Sequence, residues 1–127
     1  MEDKLLKHGR FSWNELITTD VERAMTFYGK LFGWQYEAFP MDEMTYHVIR
    51  TGDEETGGIM PIPPQAGDHR PTWGIYVTVD NVDETVKLAE QLGGKIHQPP
   101  TDIPGVGKFA ILQDPQGAFI SVITYLK

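Results

Sequence analysis

A chain of 127 residues with 40% hydrophobic and 23% charged residues has the size and balance of one globular domain, which excludes wholesale disorder. It has no cysteine, which excludes a disulfide framework, a thiolate metal site and a cysteine nucleophile, and suits a reducing cytoplasm. The formal charge of −7 comes without any lysine/arginine cluster, and the opening MEDKLLKHGRF has no long apolar run, so neither nucleic acid nor a membrane is an expected partner.

Alternation from Trp13 to Thr19 predicts a half-buried strand, with Leu16 and Thr18 on one side and Trp13, Glu15 and Ile17 on the other. Asp20 or Thr19 caps the helix that follows, and Glu22 stands in capping-box spacing after Thr19. Val21, Ala24, Met25, Tyr28, Leu31 and Phe32 form one apolar stripe, closed by Gly33. Trp34–Phe39 and Tyr46–Arg50 are expected strands. TGDEETGG (51–58) is then a hairpin turn leading into a strand over Ile59–Ile62.

PIPPQAGDHRP (61–71) carries four prolines and is expected to connect two halves. The order then restarts. Gly74–Val79 is a strand, and Asn81 with Glu84 repeats the capping-box spacing. Val82, Val86, Ala89 and Leu92 line a second helix that ends at Gly93–Gly94. Lys95–Gln98 is a short strand and QPPTDIPGVG (98–107) a long rigid loop, placed to close over whatever the halves enclose. Phe109–Gln113 and Phe119–Tyr125 are strands flanking the DPQG turn. Ile17-Thr18-Thr19-Asp20 and Val77-Thr78-Val79-Asp80 lie sixty positions apart with the same elements after each, which points to duplication.

The segments TTDVERAMTFYGKLFGW (18–34), VTVDNVDETVKLAEQLGG (77–94) and FAILQDPQGAFISVI (109–123) resemble the vicinal oxygen chelate superfamily, which includes glyoxalase I, extradiol dioxygenases, and fosfomycin- and bleomycin-resistance proteins. PPTDIPGVGKFA (99–110) resembles a glyoxalase-like branch of uncertain function. The resemblance covers nearly the whole chain. It implies an α+β fold: two tandem βαβββ modules forming an open cup-shaped, mostly antiparallel mixed sheet. The chain (1–127) is then one glyoxalase-like domain, with module one at about 11–62, the connector at 61–71 and module two at about 72–125.

In metal-dependent members a ligand stands seven residues before the first helix-capping aspartate, another six before the second, and a third four after the glycine of the last hairpin. Carried onto this chain those positions are Trp13, Gly74 and Ser121, and the fourth falls near Met60 or Pro61. None but the serine, weakly, is a competent ligand, and a catalytic metal needs about three. No cofactor is therefore expected, a divalent metal remaining open only through rearranged ligands. An aromatic wall at Trp13 replaces a chelate corner.

Glu15 shares its face with Trp13 and Ile17. It is either a general base or an anchor for a ligand cation, or else a solvated strand-end carboxylate. Among the histidines, with no HxH or HxxxH spacing, His8 and His69 are expected in solvent and His97 at the periphery. His47 could face the cup if its strand's phase is favourable, with Tyr46 competing for that place. Parity puts Tyr76, Thr78, Phe119 and Ser121 toward the pocket, with Trp73 and Phe109 nearby. Phe27, Tyr28, Leu31 and Phe32 are assigned to helix packing, and Gly57–Gly58, Gly93–Gly94, Gly105 and Gly107 to turns.

The expected ligand-binding set is thus Trp13, Glu15, His47, Met60, Tyr76, Thr78, Phe119 and Ser121, with Glu15 the catalytic candidate if there is a reaction. Three functions compete. One is metal-free binding of a small organic molecule; another is a glyoxalase-like lyase or isomerase, using rearranged metal ligands or acid–base chemistry through Glu15; the third is a non-enzymatic subunit. The resemblance implies a homodimer.

Overall fold

The structure, a computed structural model, describes residues 3–41, 44–63 and 69–126. After a short 3-10 turn at Asp3–Leu6 come β1 (Phe11–Thr18), α1 (Val21–Phe32), β2 (Gln35–Pro40), β3 (Thr45–Thr51) and β4 (Glu54–Pro61). They are followed by β5 (Thr72–Thr78), α2 (Val82–Gln91), β6 (Lys95–Ile103), β7 (Gly107–Gln113) and β8 (Phe119–Tyr125). Strand, helix and three strands thus occur twice, the α+β tandem βαβββ order expected. Two compact units form: Trp13–Gly74, and Ile75–Lys127 together with Met1–Ser12.

In the unit Trp13–Gly74 the strands run β2-β3-β4-β1. β2 pairs antiparallel with β3, β3 antiparallel with β4, and β4 parallel with β1. The core is Leu16, Ile49 and Ile59, with Val21, Ala24, Met25 and Tyr28 of α1 laid over it. Asp20 caps α1 by accepting from the Arg23 N–H at 3.1 Å, and Gly33 ends it with φ 75°. Tyr36 donates to the Met25 carbonyl at 3.0 Å, and burial, with Tyr28 nearby, pushes its phenol above the ordinary value.

The helix stripe is shorter than its sequence suggested. Phe27, Leu31 and Phe32 are 60%, 57% and 57% exposed. Phe27 and Leu31 lie to the side of the Val21–Ala24–Met25–Tyr28 line. Phe32 stands in the last turn, where its ring meets Trp34 at 5.1 Å instead of the core.

In the other unit the strands run β5-β8-β7-β6, with β5 and β8 parallel and the rest antiparallel. Val79, Val82, Val86, Ala110, Leu112 and Val122 form its core. Asn81 caps α2 through the Glu84 N–H at 3.0 Å, whereas Leu92, expected on the buried stripe, is exposed at the helix end. The N-terminal segment belongs to this unit: Gly9 and Arg10 bond to the backbone of Thr78, and His8 is not simply solvated but accepts from the Asp80 N–H at 2.9 Å.

The expected loop over 98–107 is largely strand. β6 continues through Pro99 and Pro100 to Ile103 and pairs with β7, with register shifts between Ile96 and Thr101. β6 has one paired neighbour within its unit, and prolines are tolerated on such a strand and at bulges because no ladder N–H is lost. Of the connector, Pro61 closes β4, and residues 64–68 lie outside the described residues.

The DPQG turn is held by Asp114, whose carboxylate accepts from the Gln116 N–H at 2.9 Å and the Ala118 N–H at 3.0 Å. Those bonds keep the carboxyl below the ordinary aspartate value. The folded pKa being the lower one, the stabilisation is complete above the unfolded pKa of about 4 and disappears as pH falls through the folded value. Asp114→Ala is expected to be less stable than wild type at neutral pH. Urea unfolding should show the two curves converging toward strongly acidic pH; a gap that does not change with pH would contradict this.

Candidate functional site

The expected site residues fall into two groups, one on each unit. Trp13, Glu15, His47 and Met60 are in the unit Trp13–Gly74, and Tyr76, Thr78, Phe119 and Ser121 in the other.

In the first group, alternation puts Leu16, Ile49 and Ile59 under α1 and sends Trp13, Glu15 and Met60 to the opposite face. Tyr46, one position from His47, is also on that opposite face. The Trp13 indole Nε1 donates to the Tyr46 hydroxyl at 2.8 Å, and Tyr46 donates to Glu15 Oε1 at 2.8 Å. The direction is forced, because an indole N–H can only donate and the phenol has a single hydrogen. Trp13, Tyr46 and Glu15 therefore form a one-way hydrogen-bond chain that terminates on the carboxylate.

Geometry makes this chain unusual. Tyr46 is on β3 and Glu15 on β1, with β4 between them. Strands lie about 4.8 Å apart, so the phenol must pass over a whole strand. It passes over Gly58, which is paired with Glu15 in register, and a Cβ at Gly58 would overlap the Tyr46 hydroxyl, Cζ and Cε1. Gly57 plays the neighbouring part for the backbone: a Cβ there would overlap the Asn14 carbonyl oxygen. Both glycines are buried within β4, not in a turn as the sequence suggested. The missed signal is a glycine pair within the reach of a strand, where close approach is the common reason for glycine.

His47 lies elsewhere. It shares the face of Ile49, beside Ile59 and Ala38 in register, and its buried Nδ1 has no hydrogen-bond partner. It is not brought to Glu15. Trp73 also departs from expectation: it joins Tyr28 and Trp34 on the α1 side, donating to the Tyr28 hydroxyl at 3.2 Å. These rings, with Phe32 and Asn14, line a cavity of about 630 Å³.

In the second group, Tyr76 and Ser121 are adjacent in register, and the Tyr76 ring meets Phe109 at 6.4 Å. Val77, Ile120 and Val122 take the α2 side, as parity indicated. Thr78 does not offer an accessible hydroxyl: it is 2% exposed and donates to the Leu5 carbonyl at 2.6 Å. Phe119 is exposed and its ring packs on His97 at 4.7 Å. Tyr125 is buried, which pushes its phenol up, and shares a 2.9 Å hydrogen bond with Ser12.

A divalent ion finds a poor donor set. Trp13 directs its only polar atom to Tyr46, Gly74 has no side chain, and Met60 and Pro61 bring no hard ligand. Among the described residues no three His, Asp or Glu side chains converge where one ion could reach them. What the site can supply is a carboxylate set in place by a phenol, beside an indole. That arrangement suits a cation or a hydrogen-bond donor, with the carboxylate also able to take a proton.

Comparison with known proteins agrees with this architecture. Residues 10–122 match the family described as Glyoxalase/Bleomycin resistance protein/Dioxygenase superfamily. "Putative glyoxylase CFP32" of Mycobacterium bovis is 39% identical over 117 residues, covering 91% of this chain and 44% of the relative. "Anthracycline biosynthesis protein DnrV" of Streptomyces peucetius is 33% identical over 115 residues, covering 91% of this chain and 41% of the relative. The chain thus spans less than half the length of these curated relatives. Methylmalonyl-CoA epimerase from Mycobacterium tuberculosis superposes with a TM-score of 0.66 at 12% identity, over 97% of this chain and 91% of the epimerase. At that identity the likeness is one of fold.

Proposed function

Because the chain belongs to the glyoxalase/bleomycin resistance protein/dioxygenase superfamily, we propose that it binds a small organic molecule at the Trp13–Tyr46–Glu15 face without a divalent metal. The carrying observation is the hydrogen-bond chain that terminates on Glu15. A fold that hosts many functions does not choose among them, so the choice rests on this site. The guest class that matches it is an organic molecule with a cationic or hydrogen-bond-donating group. The formal charge of −7 favours the cation in the surrounding field.

A second reading is metal-free acid–base chemistry of the glyoxalase-like kind through Glu15. It draws support from the same phenol, which fixes the carboxylate as an acid–base group needs to be fixed. The name of the CFP32 relative supports that reading too. We place the chain in the cytoplasm, in keeping with its lack of cysteine. No helix among the described residues is long and apolar enough to cross a membrane. Exposed Phe27, Leu31 and Phe32 support a homodimer.

A thermal-shift screen over aromatic amines and neutral metabolites tests the function. A guest at a hundred times its Kd is expected to add about 2.7 kcal/mol of stability. No stabilisation by any organic guest, together with one equivalent of nickel, zinc, iron or manganese in protein purified without chelator, would overturn the proposal.

A further inference from the structure

The Glu15 site depends on a side chain that reaches it from two strands away. We propose that Tyr46 is the positioning residue of Glu15, and that Gly58 exists as the gap over which its ring crosses β4. This rests on the reading of Glu15 as the guest-binding group.

Three observations converge. The phenol has one hydrogen, and the Trp13 indole occupies its oxygen as donor, so that hydrogen is committed to Glu15 Oε1 at 2.8 Å. The ring has one route, since any side chain at Gly58 would occupy its place. Glu15 is held by β1, whose pairing with β4 sets Glu15 directly beside Gly58. Trp13, Tyr46, Gly58 and Glu15 thus act as a unit: removing the phenol takes from the carboxylate the hydrogen bond that orients it toward β3, and filling the gap expels the ring. Tyr46 acts on a guest through Glu15 and is not itself a catalytic residue.

NMR of the full chain tests this without a ligand. The signals are the Trp13 indole N–H, assigned by its loss in Trp13→Phe, and the Glu15 side-chain carboxyl carbon, assigned by its loss in Glu15→Gln. Tyr46→Phe is expected to move both, and Gly58→Ala to move both in the same direction, while the indole signals of Trp34 and Trp73 stay in place. A Gly58→Ala protein with Trp13 and Glu15 signals as in wild type overturns the gap; unmoved signals in Tyr46→Phe overturn the positioning. If Gly58→Ala does not fold, Gly58→Ala combined with Tyr46→Ala must restore folding, and failure to do so also overturns the gap.

A second arm uses benzyltrimethylammonium as probe. Tyr46→Phe is expected to weaken its binding about tenfold, the scale of one hydrogen bond to a charged group, and to have no further effect in Glu15→Ala, which leaves nothing for the phenol to position. An equal loss in both backgrounds would contradict action through Glu15. Wild type that binds no probe counts against the guest reading alone, and the NMR arm still decides the role of Tyr46.

Discussion

Gly57→Ala is expected to destabilise the protein by about 3 kcal/mol, near the top of what overpacking does and a large part of a typical domain's stability. Gly57 pairs with Asn14 between the parallel strands β4 and β1, and a Cβ would overlap the Asn14 carbonyl oxygen, with its carbon at 3.2 Å. Backbone atoms cannot rotate away as a side chain can. The strands must separate, which weakens the ladder that carries Leu16 into the core and Glu15 to the other face. Urea unfolding measures the effect as a fall in the midpoint with an unchanged slope. A loss under about 1 kcal/mol would mean that β1 and β4 are not so closely opposed.

Glu15→Gln is expected to weaken binding of benzyltrimethylammonium about 10- to 100-fold, corresponding to the roughly 1.5–3 kcal/mol of an interaction with a charged partner. Glutamine keeps the shape and can still accept from Tyr46 through its amide oxygen, so the change isolates the charge. Thermal stability should move little. If the site also performs acid–base chemistry, turnover disappears with the same substitution, because an amide does not take the proton. Isothermal titration on both proteins reads the affinity. Equal affinities would place the guest somewhere other than at Glu15.

Much of the fold was legible because its signals are local. Strand alternation at Trp13–Thr18, the Asn81 cap and the Gly33 terminus each depend on a few neighbouring residues. What was misread depends on partners far along the chain. Pro99 and Pro100 read as loop, but β6 is paired on one side within its unit and tolerates them, and nothing local says which strand will have one neighbour. Whether Tyr46 or His47 turns to Glu15 is a matter of one residue in the phase of β3, set by where its pairing with β4 begins.

The candidate site followed the same division. Trp13 and Glu15 were visible together because they are two apart on one strand. Tyr46 joins them from more than thirty positions away, and Gly58 reads as turn chemistry until β4 is seen lying beneath the phenol. Thr78 had the right parity for a pocket, yet the N-terminal segment, folded onto the same unit, takes its hydroxyl.

The most direct measurement is an amide and indole NMR shift map of the wild-type chain titrated with benzyltrimethylammonium. The largest changes are expected at the Trp13 indole and at the amides of Glu15 and Gly58, saturating with one equivalent of probe. Changes that centre instead on Trp34 and Trp73, or no changes at all, would contradict a guest site built around Glu15.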